Sequence, residues 1–203
     1  MPASANVGRY HHGDLRAALV ETAIGLIAER GVREFSLAEA SRRLGVSAAA
    51  PYRHFADRDE LLAAVAARSL QVFAAMMAAE TGDSQDPRQR LASMTRAYVR
   101  FAAEQRPLFD MMYNAGLDKS RYPELQRASE PVDAAFLGVV EEICAGDAAA
   151  ADALATALEA TAHGHAMLLL DSEPGADAAA VAAAADRAAA ATLAIISGRA
   201  ALS

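Results

Sequence analysis

This chain of 203 residues has few of the features that commonly mark a secreted or membrane protein. It has no tryptophan, and its aromatic content is only 5%. A single cysteine, Cys144, excludes an internal disulfide, fits a reducing cytoplasm, and is expected to be an inert buried thiol. No uninterrupted apolar run reaches about 18 residues, so we expect no membrane span. The polar first residues do not resemble a signal peptide.

Motifs for catalysis and metal binding are also missing. The sequence has no glycine-rich phosphate loop, no Gly-x-Ser-x-Gly motif and no paired nucleophile and base. His163 and His165 lie two residues apart, which places them on different faces of a helix, so they would not chelate one ion together. We therefore expect no enzyme activity, no cofactor and no metal. Each histidine either packs in the core or an interface, or donates a hydrogen bond inside a ligand cavity.

The net charge of −7 is distributed unevenly. Residues 1–55 carry seven arginines and five acidic residues, a net +2, whereas residues 56–203 carry a net −9. Affinity for DNA depends on local neutralisation of phosphates, so a basic end on an acidic body is compatible with DNA binding. The acidic body would repel stray contacts with DNA.

Apolar periodicity and capping residues predict an all-α chain with about nine helices. The alanine-rich last third is read as packed helices rather than low-complexity sequence, because periodic leucine and isoleucine residues recur in it. The expected helices cover residues 15–30, 36–44, 47–55, 57 to the linker at 81–86, 86 to beyond 101, 107–112, 123–144, 147–171 and 176–197.

The segment from Phe35 to Leu62 has the pattern of a helix-turn-helix. Ser36 and Glu39 form a Ser-x-x-Glu capping box, Gly45 supplies the turn, and Ser47 caps a third helix that reaches about Phe55. In such a motif the second of the two helices enters the DNA major groove.

Candidate DNA contacts follow from this placement. Small alanines permit close approach to the bases, whereas Tyr52, Arg53 and His54 are long enough to reach them, although Arg53 could instead point to solvent. Ser36 lies at a helix N-terminus that either binds phosphate or only caps the helix. Phe55 is expected in the core. The candidates in this segment are Ser36, Arg42, Arg43, Ser47, Ala48, Ala49, Tyr52, Arg53 and His54.

Two further groups of residues have open alternatives. Arg42 and Arg43 end the second helix, where they either contact DNA or only complement the helix dipole in solvent. The arm Arg9-Tyr10-His11-His12 either reaches a minor groove or is a disordered terminus.

The sequences HHGDLRAALVETAIGLIAERG and FSLAEASRRLGVSAAAPYRHFADRDELL resemble the TetR/AcrR family of bacterial transcriptional regulators over about residues 10–65. The resemblance implies a three-helix DNA-binding domain, residues 1–57, followed by a ligand-binding and dimerisation domain, residues 58–203. It also implies that Ser47, Ala48, Tyr52 and His54 lie at the phosphate backbone or the bases. Arg58 lies where the family usually has a lysine, and its planar guanidinium would contact a phosphate through a fork of N–H donors.

The resemblance implies a ligand pocket within the helical body. A methionine-rich apolar set suits an adaptable cavity, and a small hydrophobic or amphipathic effector is expected there. The candidate ligand-binding residues are Phe101, Phe109, Met112, Tyr113, Phe136, His163 and Met167.

Besides Arg58, the sequence departs from the family pattern at two further places. The body resembles a subgroup with a Trp-His-Gly motif, but here the residues are Ala162-His163-Gly164. In the third helix Pro51 replaces one of two aromatic residues, at about the fourth helical position, where it could be tolerated with a bend.

From this we expect a homodimer, paired through the last two helices, that binds double-stranded DNA at a palindromic operator and responds to a small effector. Repression and activation are both compatible with the sequence, and repression is preferred. The alternative is a helical ligand-binding or interaction module whose DNA reader has degenerated at Pro51.

Overall fold

The computed structural model describes residues 12–114 and 116–198. Within these ranges the chain forms helices and no strand, which confirms the all-α prediction. Three short 3₁₀ helices occur at Val32–Glu34, Pro51–Arg53 and Lys119–Arg121. The eight α-helices are α1 His12–Arg30, α2 Leu37–Leu44, α3 Arg58–Thr81, α4 Pro87–Glu104, α5 Arg106–Asn114, α6 Pro123–Ile143, α7 Ala148–Ser172 and α8 Ala178–Gly198.

Side-chain caps set where most of these helices begin, as the sequence indicated. The Ser36 hydroxyl accepts from the Glu39 amide at 3.2 Å, and the Asp57 carboxylate accepts from the Glu60 amide at 2.8 Å. These bonds satisfy amides that lack partners in the first turn. Gly45 ends α2 with φ of 67°, in the left-handed region that glycine adopts without strain.

The prediction of a third α-helix at residues 47–55 is wrong. Residues 48–50 form a turn, and only Pro51–Arg53 are helical, as a 3₁₀ helix. Pro51 has no amide proton, so it cannot donate the bond to the Ser47 carbonyl that an α-helix requires. The Ala50 amide donates to that carbonyl instead, at 3.0 Å. This change reduces the expected nine helices to eight α-helices among the described residues.

Two hydrophobic cores organise the molecule, and both include α3. The first, which we call the reader core, holds buried residues of α1, α2 and the N-terminal half of α3, together with Phe55, Met111 and Leu125. The second, the body core, lies among α4, α6, α7 and α8 and takes Phe73 and Met77 from α3. Because one helix enters both cores, the two parts of the chain are held together by continuous packing.

The body is built around α4, which packs against α3, α6, α7 and α8. Facing hydroxyls of Thr95 and Thr192 lie 2.9 Å apart, and both residues are buried. Cys144 is buried at the end of α6, as expected for a packed thiol.

By length and mean hydropathy, α3 and α8 could cross a membrane, although charged residues interrupt both. Most of the apolar window of α3 is buried, as in the core helix of a globular protein.

We predict that Phe101→Ala lowers the free energy of unfolding by about 3–5 kcal/mol, because the ring is fully buried and its removal leaves a cavity. Denaturant titration measures the change. Tyr52→Ala is the control: its side chain is 58% exposed, and we expect a change within about 0.5 kcal/mol. Equal destabilisation by the two variants would contradict the assigned core.

Candidate functional site

The segment between α2 and α3 presents a polar surface to solvent while two of its residues anchor it. Pro51 and Phe55 are buried, four residues apart, on the inner side. Ser47, Ala48 and Ala49 are exposed on the outer side. Tyr52 and Arg53 are also exposed, and His54 is half-buried. The residues predicted to contact DNA in this segment are therefore accessible, and Phe55 is in the core as predicted.

The two arginines that end α2 each form an ion pair with a carboxylate. Arg43 binds Glu29 of α1 through two hydrogen bonds, of 2.6 and 2.7 Å, and Arg42 binds Glu39. The Arg43 hydrogen bond lowers the pKa of Glu29, and the Arg42 bond lowers the pKa of Glu39. All four side chains are near the surface, where ion pairs contribute little to stability, so a phosphate could replace either carboxylate at small cost.

Ser36 and Arg58 both lie at helix N-termini, but they are engaged differently. The Ser36 hydroxyl caps α2 and remains close to its open first turn. The Arg58 guanidinium donates to the Val32 carbonyl at 2.6 Å and to the Phe35 carbonyl at 3.0 Å. Arg58 thus fastens the start of α3 to the chain before α2, a role that the sequence did not indicate. The N-terminal arm predicted at residues 9–12 lies outside the described side chains.

A cavity of about 450 Å³ lies in the body between α3, α4, α5, α6 and α7. Four of the seven residues predicted to bind a ligand line it: Met112, Tyr113, Phe136 and His163. The other three do not. Phe101 and Phe109 are fully buried because neighbouring rings cover them, with Phe73 5.2 Å from Phe101 and Tyr113 5.1 Å from Phe109 between ring centroids. Met167 packs against the body core instead.

Tyr98 is the principal cavity residue that the sequence did not single out. Its hydroxyl lies 2.9 Å from His163 Nδ1. Burial raises the pKa of Tyr98 well above its ordinary value, and the neighbouring Tyr113 and the Glu159 carboxylate add to the rise. The phenol therefore stays neutral at physiological pH. On the sequence, Tyr98 belongs to the apolar stripe of its helix, so nothing distinguished it from the core.

Charged side chains border the same cavity. Asp133 of α6, Glu159 of α7 and Lys119 of the third 3₁₀ helix are exposed and lie at its rim. Among the described residues no cluster of histidine, cysteine and acidic side chains could hold a metal ion.

Two family models match the chain. Residues 19–65 match the model for bacterial regulatory proteins of the tetR family, and residues 91–194 match a tetracyclin repressor-like C-terminal domain. The chain belongs to the TetR family of bacterial regulatory proteins. It is therefore a DNA-binding transcriptional regulator and not an enzyme, as the residues and the resemblance predicted.

Two relatives are 30% identical to this chain over the stretches they match. The HTH-type transcriptional regulator BetI of Brucella anthropi is 30% identical over 90 residues, and the match spans 44% of this chain and 45% of that protein. A Rhodococcus sp. RHA1 protein of unknown function is 30% identical, with a TM-score of 0.72 over 91% of this chain and 96% of that one.

A more distant relative has the same fold. A Saccharomonospora viridis protein, solved in complex with choline, is 21% identical, with a TM-score of 0.65 over 91% and 96% of the two chains.

We predict that Arg58→Ala lowers the free energy of unfolding by about 1–3 kcal/mol, because two backbone carbonyls lose a charged donor. Chemical denaturation measures this. The salt dependence of DNA binding tests the predicted phosphate contact separately: its loss would flatten the slope by about one. Unchanged stability with a flatter slope would show that Arg58 serves DNA and not the fold.

Proposed function

We propose that this regulator is a ligand-responsive repressor that binds a palindromic operator as a homodimer. The observation that carries the proposal is the exposed surface between α2 and α3. The small side chains of Ala48 and Ala49 are exposed there, as are Tyr52 and Arg53. Pro51 and Phe55 are buried beneath them and anchor the segment. A sterically open surface of this kind can approach base edges, whereas the acidic body is repelled by phosphates.

The DNA contacts remain assigned as the sequence suggested. We propose that Ser36, Arg42, Arg43 and Ser47 position the protein on phosphates. The residues proposed to approach the bases are Ala48, Ala49, Tyr52, Arg53 and His54. Arg58 contributes by holding the start of α3 and is the weakest of the proposed direct contacts, because its donors are already engaged. The proposed boundary between the DNA-binding and effector domains stays at residues 57 and 58.

The effector site is proposed in the body cavity. Its volume of about 450 Å³ suits a small molecule, and its wall combines rings and methionines with a few polar groups. The choline found in the distant relative supports a small-molecule effector in this fold. A regulator with this role would act in the cytoplasm, where its single thiol stays reduced.

The proposed switch runs through α5. Met112 and Tyr113 line the cavity, whereas the adjacent Met111 is buried in the reader core. An effector that fits the cavity only when α5 shifts would favour a conformation with altered spacing of the two DNA-binding surfaces. How far DNA binding falls depends on the ratio of the effector's affinities for the two conformations, and not on how tightly it binds either one.

We predict that selection of genomic fragments on the purified chain enriches one palindromic site, with half-sites about one or more helical turns apart. Tyr52→Ala should bind that site about fivefold to tenfold more weakly, because one hydrogen bond is lost from an exposed side chain whose removal leaves the fold intact. Binding is measured at a stated salt concentration. Retention of full affinity would remove Tyr52 from the interface.

The shortened helix at Pro51 favours a second candidate function, a helical ligand-binding or interaction module with a degenerate reader. In that case a folded dimer enriches no site, and Pro51→Tyr restores specific binding by allowing the third helix to form. Enrichment by the unmodified chain would reject this alternative.

The proposed dimer pairs α7 and α8 of two subunits in a four-helix arrangement. Leu168 of α7 is 66% exposed, an unusual position for a large apolar side chain. We predict that Leu168→Glu weakens dimerisation at least about tenfold, because an unpaired charge would be buried. Leu137→Glu on α6, also at an exposed leucine, is the matched control and should remain dimeric in sedimentation equilibrium. Equal dimer affinities would place the interface elsewhere.

A further inference from the structure

Aromatic rings form one wall of the body cavity. The Tyr98 ring is at the centre of this wall, with centroids of Phe73 at 5.7 Å, Tyr113 at 6.1 Å and His163 at 6.3 Å. All four residues border the cavity, and Phe136 adds a ring from α6. The face of an aromatic ring carries partial negative charge, so a group of rings attracts a positively charged ligand.

Carboxylates lie at the rim of the same cavity. Burial of the phenols is the main cause that raises the pKa of Tyr98 and of Tyr113. The negative charge of Glu159 adds to the rise in both, so Glu159 lies near the ring wall. Asp133 is the second carboxylate, and one cation, Lys119, lies at the rim. An anionic ligand would meet two like charges there, whereas a cationic ligand would meet two opposite charges and one like charge, that of Lys119.

We propose that the effector is an organic cation whose substituted ammonium group is held among Phe73, Tyr98, Tyr113 and Phe136 and balanced by Glu159. The inference rests on the proposed effector role of this cavity and narrows the hydrophobic or amphipathic effector to one charge class. An ammonium bearing alkyl groups matches the site because it is large, weakly hydrated and cationic. The cavity is large enough for such a group with an attached chain.

Calorimetric titration of the full chain, without DNA, tests the charge requirement. The probes are choline, tetraethylammonium and a longer-chain quaternary ammonium, each paired with its neutral analogue in which carbon replaces nitrogen, and a branched carboxylate of similar size. We expect at least one cation to bind about tenfold or more tightly than its neutral analogue, equivalent to about 1.4 kcal/mol. Failure of all three cations to bind, equal binding of the neutral analogues or tighter binding of the carboxylate would overturn the proposal.

Variants identify the groups responsible. Glu159→Gln should weaken the cation about tenfold and leave the neutral analogue unchanged, whereas Glu141→Gln, the same change at an exposed position of α6 away from the cavity lining, should alter neither. Lys119→Gln should leave cation binding unchanged or strengthen it. Thermal melting without ligand establishes that each variant is folded. Equal cation affinity in Glu159→Gln and Glu141→Gln would overturn the assignment.

The operator-binding proposal and the cationic-effector proposal can each be rejected without the other. Cation binding without an enriched genomic site would uphold the cavity assignment and reject the operator-binding proposal. An enriched site together with a preference for neutral or anionic probes would uphold the regulator and reject the cationic effector.

Discussion

The continuity of α3 is the constraint on which the rest of this structure depends. Leu61, Leu62 and Val65 complete the reader core, and Phe73 and Met77, two to three turns further on, enter the body core. A single α-helix transmits displacement along its axis because its backbone hydrogen bonds resist bending. The orientation of the surface proposed to bind DNA is therefore fixed by the same element that lines the body cavity.

A second connection runs through α5, where neighbouring residues face different surroundings. Met111 is buried against the reader and Met112 borders the cavity, as the rotation of about 100° per residue in an α-helix requires. The ion pair between Arg16 of α1 and Glu124 of α6 adds a polar link between the two parts. Its two side chains are partly exposed, so packing contributes more to this junction than charge does.

Local signals in the sequence were sufficient for most of the helices. Ser36, Asp57 and Gly45 each act through the backbone of the next few residues, so their effects could be read from spacing alone. Pro51 has a larger effect than the bend that the sequence predicts: because proline has no amide donor, a 3₁₀ helix replaces the predicted α-helix.

The cavity could be predicted only in part. Met112, Tyr113, Phe136 and His163 stand out as bulky or polar side chains in the body, but Tyr98 has the periodicity of a core residue and Glu159 that of a solvated helix face. Whether these side chains come together around one cavity depends on how α4, α5, α6 and α7 pack against one another. Helical periodicity states which face of a helix is apolar and contains no information on which neighbour that face meets.

The position of Met111 and Leu125 has a consequence for modular exchange between regulators. Both side chains come from the body, at 1% and 4% exposure, yet both complete the reader core beneath the surface proposed to bind DNA. Cutting the chain at residue 57 would expose apolar surface on both fragments and remove the helix that orients the reader. A chimaera that transplants this specificity onto another body must therefore carry α3, α5 and the first turn of α6 with it.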